Sequence, residues 1–239
     1  MYENYYGLDA RPFLLSPDPK FFFASNHHQR ALSYLQYGLD QGEGFIVITG
    51  PIGTGKTTIA RLLQGILRPS KGAILIDGQD LRLIDVGHLR YSVAAVTQNQ
   101  HFFKGSIRDN ILKPYPGAGS GRVNWAAKLV GLEQDVETMP DGFETEVEEQ
   151  GANLTIGIRY KIAIARALIR NPRILILDET LAQFDLESEQ QVRSRLKDIA
   201  SGRTLILLAH RVSHLHECDS VLVMEQGRLV ESGSHQQLL

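Results

Sequence analysis

The chain has 239 residues, 43% hydrophobic and 22% charged, with a net charge of −2 and one cysteine, Cys218. That length supports one large α/β domain or two small ones with an ordinary core. With no basic stripe and no Lys/Arg run, nucleic acid is not an expected partner; the lone cysteine excludes an intrachain disulfide, and no apolar run reaches the ~18 residues of a membrane span.

The start, Met1-Tyr2-Glu3-Asn4-Tyr5, lacks the basic-then-apolar order of a secretory signal, and a cytoplasmic location is expected. Residues 1–44 are rich in aromatics, with prolines at 12, 17 and 19 arguing against a regular element there. Asn26 is placed to cap a helix reaching about Asp40, with Ala31, Leu32, Leu35 and Leu39 on one face. Gly42-Glu43-Gly44 ends it and launches an apolar strand, Phe45-Ile46-Val47-Ile48-Thr49. A glycine-rich turn follows, then a helix from Lys56 to about Leu67. Ala73-Ile74-Leu75-Ile76 reads as a short strand turning at Asp77-Gly78, and Val93-Ala94-Ala95-Val96 as another. From about His101 to Arg170 the pattern is helical, interrupted by a Gly/Pro-rich loop over 114–121. Strands return at 174–177, 204–208 and 221–224, with a helix from about Glu187 to Ala200 between the first two.

Continuous apolar strands alternating with helices imply an α/β fold whose mostly parallel sheet is buried on both faces. The expected organisation is an aromatic segment and helix over 1–44, a P-loop NTPase core over 45–100 and 171–239, and a helical subdomain inserted over 101–170.

Gly50-Pro51-Ile52-Gly53-Thr54-Gly55-Lys56-Thr57 spells G-x-x-x-x-G-K-[ST] between a strand and a helix, the context that gives this motif meaning. The turn, continued to Thr58, forms a nest of backbone N–H groups at a helix N-terminus and suits a nucleoside triphosphate. Lys56 can reach the β- and γ-phosphates, and the Thr57 hydroxyl can sit on Mg²⁺. Ile174-Leu175-Ile176-Leu177-Asp178-Glu179 is an apolar strand ending in two carboxylates. Beside a phosphate loop, Asp178 would hold the metal and Glu179 would polarise or deprotonate the attacking water. The plainer readings are an unrelated glycine-rich turn and a solvated acidic strand end.

From about Arg61 to Leu239 the chain resembles the ATPase domain of ABC transporters, closest to the exporter and type I secretion branch. The resemblance rests on Gly72-Ala73-Ile74-Leu75-Ile76-Asp77-Gly78, Val96-Thr97-Gln98, residues 103–111, Ile162-Ala163-Ile164-Ala165-Arg166-Ala167-Leu168, Ile174 to Glu179, Ala209-His210-Arg211 and Gly227-Arg228-Leu229-Val230. It implies ATP hydrolysis with Mg²⁺, Gln98 near the metal and coupled to the membrane subunit, and His210 contacting the γ-phosphate. It also implies an ATP-dependent homo- or heterodimer and a transmembrane exporter subunit at the inner face of the cell membrane. Glu149 falls where exporters meet the intracellular helices of that partner. Without the resemblance, Gln98 would simply end a strand and His210 would be a satisfied strand-end histidine. His210, His214, His216 and Cys218 match no common zinc spacing.

Three departures qualify it. Family members grip the partner's γ-phosphate with Leu-Ser-Gly-Gly-Gln, whereas this chain has Leu154-Thr155-Ile156-Gly157-Ile158. Thr155 keeps a hydroxyl and Gly157 a close backbone approach, but Ile156 is β-branched and Ile158 apolar, so weak turnover is expected. Of the family's Ser-Ala-Leu-Asp loop only Asp185 survives, in Ala182-Gln183-Phe184-Asp185. Residues 1–60, through Tyr5-Tyr6-Gly7-Leu8, Arg11-Pro12-Phe13, Ser16-Pro17-Asp18-Pro19 and Gln41-Gly42-Glu43-Gly44-Phe45, instead resemble secretion-associated AAA-type ATPases. The chain thus reads as a hybrid of two P-loop proteins, with Phe21, Phe22 or Phe23 left to stack on adenine or to pack as core. A non-hydrolysing ATP-binding subunit and an AAA-type secretion ATPase are the alternative readings.

Overall fold

The computed structural model describes residues 44–179, 186–210 and 218–238. The expected helix over 26–40, the aromatics Phe21, Phe22 and Phe23, Asp185, His214 and His216 lie outside the described residues.

In chain order, Phe45–Thr49 forms β1, buried throughout, and Lys56–Leu63 forms α1. Leu75–Ile76 (β2) and Gln79–Asp80 (β3) make a hairpin of their own around Asp77 and Gly78, whose φ values are 50° and 74°. The strand expected at 73–76 is therefore shorter and pairs with its own continuation. Val86–Ser92 (α2) starts at Asp85, whose carboxylate accepts from the His88 N–H at 2.9 Å, and runs straight into Val93–Val96 (β4). Gly105–Ser106 (β5) precedes Ile107–Leu112 (α3), which opens with a reciprocal capping box between Ser106 and Asp109. Ser120–Val130 (α4) and Leu132–Glu137 (α5) follow, then Glu146–Val147 (β6), which pairs antiparallel with β5. Ile156–Leu168 (α6) leads to Ile174–Asp178 (β7), Leu186–Arg193 (α7), Leu196–Ala200 (α8) and Thr204–Ala209 (β8). Ser220–Glu225 (β9) and Arg228–Gly233 (β10) form an antiparallel pair, followed by a single turn at His235–Gln237.

The main sheet has the order β10-β9-β1-β8-β7-β4 and is parallel except for β10. Alternation along the strands divides the core. Phe45, Val47, Leu175, Leu177, Leu205 and Leu207 face the cluster shared with α3 to α8. Ile46, Ile48, Ile174, Ile176, Ile206 and Leu208 face α1 and α2. Each such side chain removed from water contributes about 1.5–3 kcal/mol, which explains why these strands read as unbroken apolar runs. The single helix expected over 187–200 is two helices, because the chain turns at Ser194 and Arg195, where Arg195 donates to the Lys128 carbonyl at 3.0 Å. No helix among the described residues is long and apolar enough to cross a membrane.

Parallel strands put their carboxyl ends at one edge of the sheet. The segments leaving β1, β4, β7 and β8 there carry Gly50–Thr57, Gln98, Glu179 and His210.

Candidate nucleotide site

β1 is followed at once by Gly50, whose φ is 145° and whose absent Cβ would lie 2.0 Å from the Met224 carbonyl oxygen on β9. Glycine alone lets the loop leave the sheet so close to its neighbour. Gly53 (φ 82°) and Gly55 (φ 90°) complete the curl, and Gly55 is the N-cap of α1. Pro51 and Ile52 stand exposed on the outer rim, while Thr54 is buried and donates its hydroxyl to the Pro51 carbonyl at 2.9 Å. The first N–H groups of α1, from Lys56 through Thr57 and half-buried Thr58, open toward the loop without helical partners.

Lys56 is 4% exposed, and its ammonium donates to the Gly50 carbonyl at 2.7 Å and the Pro51 carbonyl at 2.9 Å. Burial pulls its pKa down, and the carboxylates of Glu179 and Asp178 oppose that. The Thr57 hydroxyl donates to Asp178 Oδ1 at 3.3 Å. Burial pushes the Asp178 carboxyl above the usual range; the Thr57 bond and the charges of Lys56 and Arg61 act against this, and Glu179 adds to it.

Glu179 leaves β7 with φ 53°, a strained setting for a residue with a Cβ, held by its N–H donating to the Leu208 carbonyl at 3.0 Å. One carboxylate oxygen meets His210 Nε2 at 2.6 Å and the other accepts from the Gln98 amide. His210 Nδ1 lies 3.4 Å from both Lys56 Nζ and the Gly50 carbonyl. A carboxylate only accepts, so the 2.6 Å contact places a proton on Nε2, and Nδ1 of the neutral ring then faces the Lys56 ammonium as an acceptor. A cavity of about 250 Å³ opens beside Thr57, Arg61, Gln98, Asp178 and Glu179. A larger one, of about 530 Å³, lies at the opposite strand ends, beside Gly44, Val93, Ile174 and Thr204.

The donor set fits a triphosphate carried with Mg²⁺. The backbone curl, Lys56 and the α1 N-terminus present positive ends, and the acidic pair Asp178 and Glu179 stands opposite them. Among the described residues no cluster of three or more His, Cys, Asp or Glu side chains forms a metal cage. One carboxylate, one hydroxyl and an amide, completed by phosphates, is the sparse protein contribution typical for Mg²⁺.

The structure thus brings Gly50 to Thr58, Gln98, Asp178, Glu179 and His210 together. The loop and the acids leave strands that are not neighbours: β8 lies between β1 and β7 and delivers His210 into the gap. Thr155 and Gly157 are not part of this cluster. Thr155 caps α6, its hydroxyl accepting from the Ile158 N–H at 3.3 Å, and Gly157 is buried in the first turn. Glu149 is exposed in the short turn Glu149–Gly151. One neighbour escaped the sequence reading: Tyr160 on α6, whose hydroxyl donates to the Gln98 carbonyl at 2.8 Å. Nothing in the spacing of a tyrosine 62 residues away signals that contact.

Comparison with known proteins places this geometry. The family model described as ABC transporter matches residues 32–182, reaching back through the phosphate loop into the part with the AAA-type resemblance. The leukotoxin translocation ATP-binding protein LktB of Mannheimia haemolytica is 44% identical over 208 residues, covering 87% of this chain and 29% of LktB. LktB of Bibersteinia trehalosi is also 44% identical, over the same shares of both chains. A solved bacterial Atm1-family ABC exporter with ATP bound superposes with a TM-score of 0.77 at 41% identity, over 82% of this chain and 35% of that one. The chain therefore spans about a third or less of the length of these relatives. With the family model matching well over half of its residues, the chain belongs to the ABC transporter family, as its ATP-binding, P-loop ATPase part.

Proposed function

We propose that the chain binds ATP with Mg²⁺ and hydrolyses it to drive a transmembrane exporter subunit from the cytoplasmic side, as one half of an ATP-dependent homo- or heterodimer. The observation carrying this reading is Glu179, bonded at one oxygen to His210 and at the other to Gln98, with His210 also in contact with Lys56. Lys56 exchanges its loop carbonyls for phosphate oxygens, and the loop N–H groups share the charge. Thr57 and Asp178 hold the metal, with Gln98 alongside. When bound, Mg²⁺ offsets negative charge on the β- and γ-phosphate oxygens.

Glu179 orients a water in line with the bond to the leaving ADP oxygen. As the water oxygen bonds to the γ-phosphorus, the bond to ADP breaks with its electron pair, and Glu179 takes the proton. His210 keeps the carboxylate aimed and senses the γ-phosphate. Glu149, exposed on its turn, is the surface offered to the partner's intracellular helices. The LktB and Atm1-type relatives support the exporter reading over an AAA-type one.

The test is Glu179→Gln. Nucleotide titration should show ATP binding retained, and turnover should fall by at least about 100-fold, the range for a general base. Unaltered turnover would remove Glu179 from the mechanism.

A further inference from the structure

Beyond β4 the main-sheet ladder stops, its last pair being Val96 with Leu177. Gln98 then lies on an exposed bend. Something other than the sheet must hold its backbone if its side chain is to meet Glu179 reliably. Tyr160 supplies that hold. Its ring is 6% exposed, packed in the core on the α6 side of the sheet, and its hydroxyl donates to the Gln98 carbonyl at 2.8 Å. Burial raises the phenol pKa, so the hydroxyl remains a donor at neutral and mildly alkaline pH. The next residue, Lys161, is 1% exposed and donates to Asp135 Oδ2 on α5 and to Gln191 Oε1 on α7, each at 2.7 Å. The tyrosine is therefore presented from a turn of α6 fixed on two sides.

We infer that Tyr160 is a positioning residue for hydrolysis: its hydroxyl pins the Gln98 backbone so that the Gln98 amide meets Glu179. Two hydrogen bonds in series, Tyr160 to Gln98 and Gln98 to Glu179, then make the water-orienting carboxylate sensitive to where the first turns of α6 sit. The inference rests on the roles proposed above for Glu179 and Gln98.

A double-mutant cycle on the purified chain tests it. Tyr160→Phe deletes one oxygen and keeps the packing ring. With Gln98 present it should lower kcat roughly 3- to 10-fold, the effect of one neutral hydrogen bond, and leave the KM for ATP unchanged. Combined with Gln98→Ala it should cost nothing further, because the route runs through that side chain. Where basal turnover is too low to divide, the cycle is read on the Mg²⁺ concentration that half-saturates ATP binding, which Tyr160→Phe should raise only when Gln98 is intact. Wild-type behaviour of Tyr160→Phe, or the same factor lost in both backgrounds, would overturn the inference. Glu179→Gln run in parallel separates the two levels. Normal turnover in that variant defeats the hydrolytic reading itself, whereas a dead Glu179→Gln beside an unaffected Tyr160→Phe defeats only the positioning role.

Discussion

The phosphate loop and the start of α6 are built on opposite terms. At the loop, Lys56, Thr57, Asp178, Glu179, His210 and Gln98 satisfy one another within a single chain, anchored on the ends of a buried parallel sheet. At the start of α6, Thr155 makes a cap bond and little else, and Ile156 is 47% exposed. Sheet topology alone gathers the side chains of the first region. The second presents an apolar side chain to whatever approaches it. The cluster proposed to hydrolyse ATP is thus assembled by the fold, whereas the α6 terminus stands open to solvent.

The strongest way to break this contrast is at Gly50. A methyl group there would meet the Met224 carbonyl at 2.0 Å, and β9 is held by ladders to both β1 and β10. The backbone has nowhere to go, and φ 145° is itself hostile to alanine. Gly50→Ala should cost about 4 kcal/mol or more, read as a large fall in the urea midpoint, and should abolish ATP binding. A midpoint near that of the wild type would mean the loop is not pinned to the sheet.

What the sequence made legible follows the same division. β1, β7 and β8 were readable because burial on both faces leaves a continuous apolar run, and the loop between β1 and α1 because only glycines permit its curl. β10 was not, since Arg228–Gly233 is a mostly exposed edge strand whose pairing with β9 contains a register shift. The break between α7 and α8 carries no Gly or Pro; a tertiary bond from Arg195 to the Lys128 carbonyl accompanies it. Strand order was equally hidden: nothing local says that β8 separates β1 from β7, and so the meeting of His210 with both Lys56 and Glu179 emerges only in three dimensions.

A subtler test uses the charge crowded into the loop region. The Asp178 pKa is raised, first by burial and further by Glu179. A carboxyl that titrates higher when folded than unfolded contributes stability that is fully present below its unfolded pKa and lost as pH rises through the folded one. At neutral pH the ionised carboxylate therefore works against the fold, and Asp178→Asn relieves it while leaving an acceptor for the Thr57 hydroxyl. Calorimetry should show Tm rising by about 2–4 °C at pH 7.5, the response of a chain this size to ~1 kcal/mol. The gain should shrink as pH falls through the raised pKa toward the ordinary carboxylate range. An equal gain at pH 7.5 and pH 4 would dissociate it from the charge.

The smallest effect is expected at the other region. Ile156 occupies the first helical position of α6, where its side chain is half in solvent and the Thr155 cap does not depend on it. Ile156→Gly should cost at most about 1 kcal/mol of stability, since the first turn has few helical bonds to lose. If the β-branched side chain keeps an approaching phosphate at a distance, as the family's glycine there suggests, its removal should raise turnover by about 3- to 10-fold, equivalent to roughly 1 kcal/mol of relieved contact. Ile158 is the poorer choice for this test, because it packs against the core and its replacement would confound crowding with lost burial. Unchanged turnover in Ile156→Gly, with ATP binding intact, would show that the open end of α6 does not limit the rate and would shift attention to the linkage from Tyr160 through Gln98.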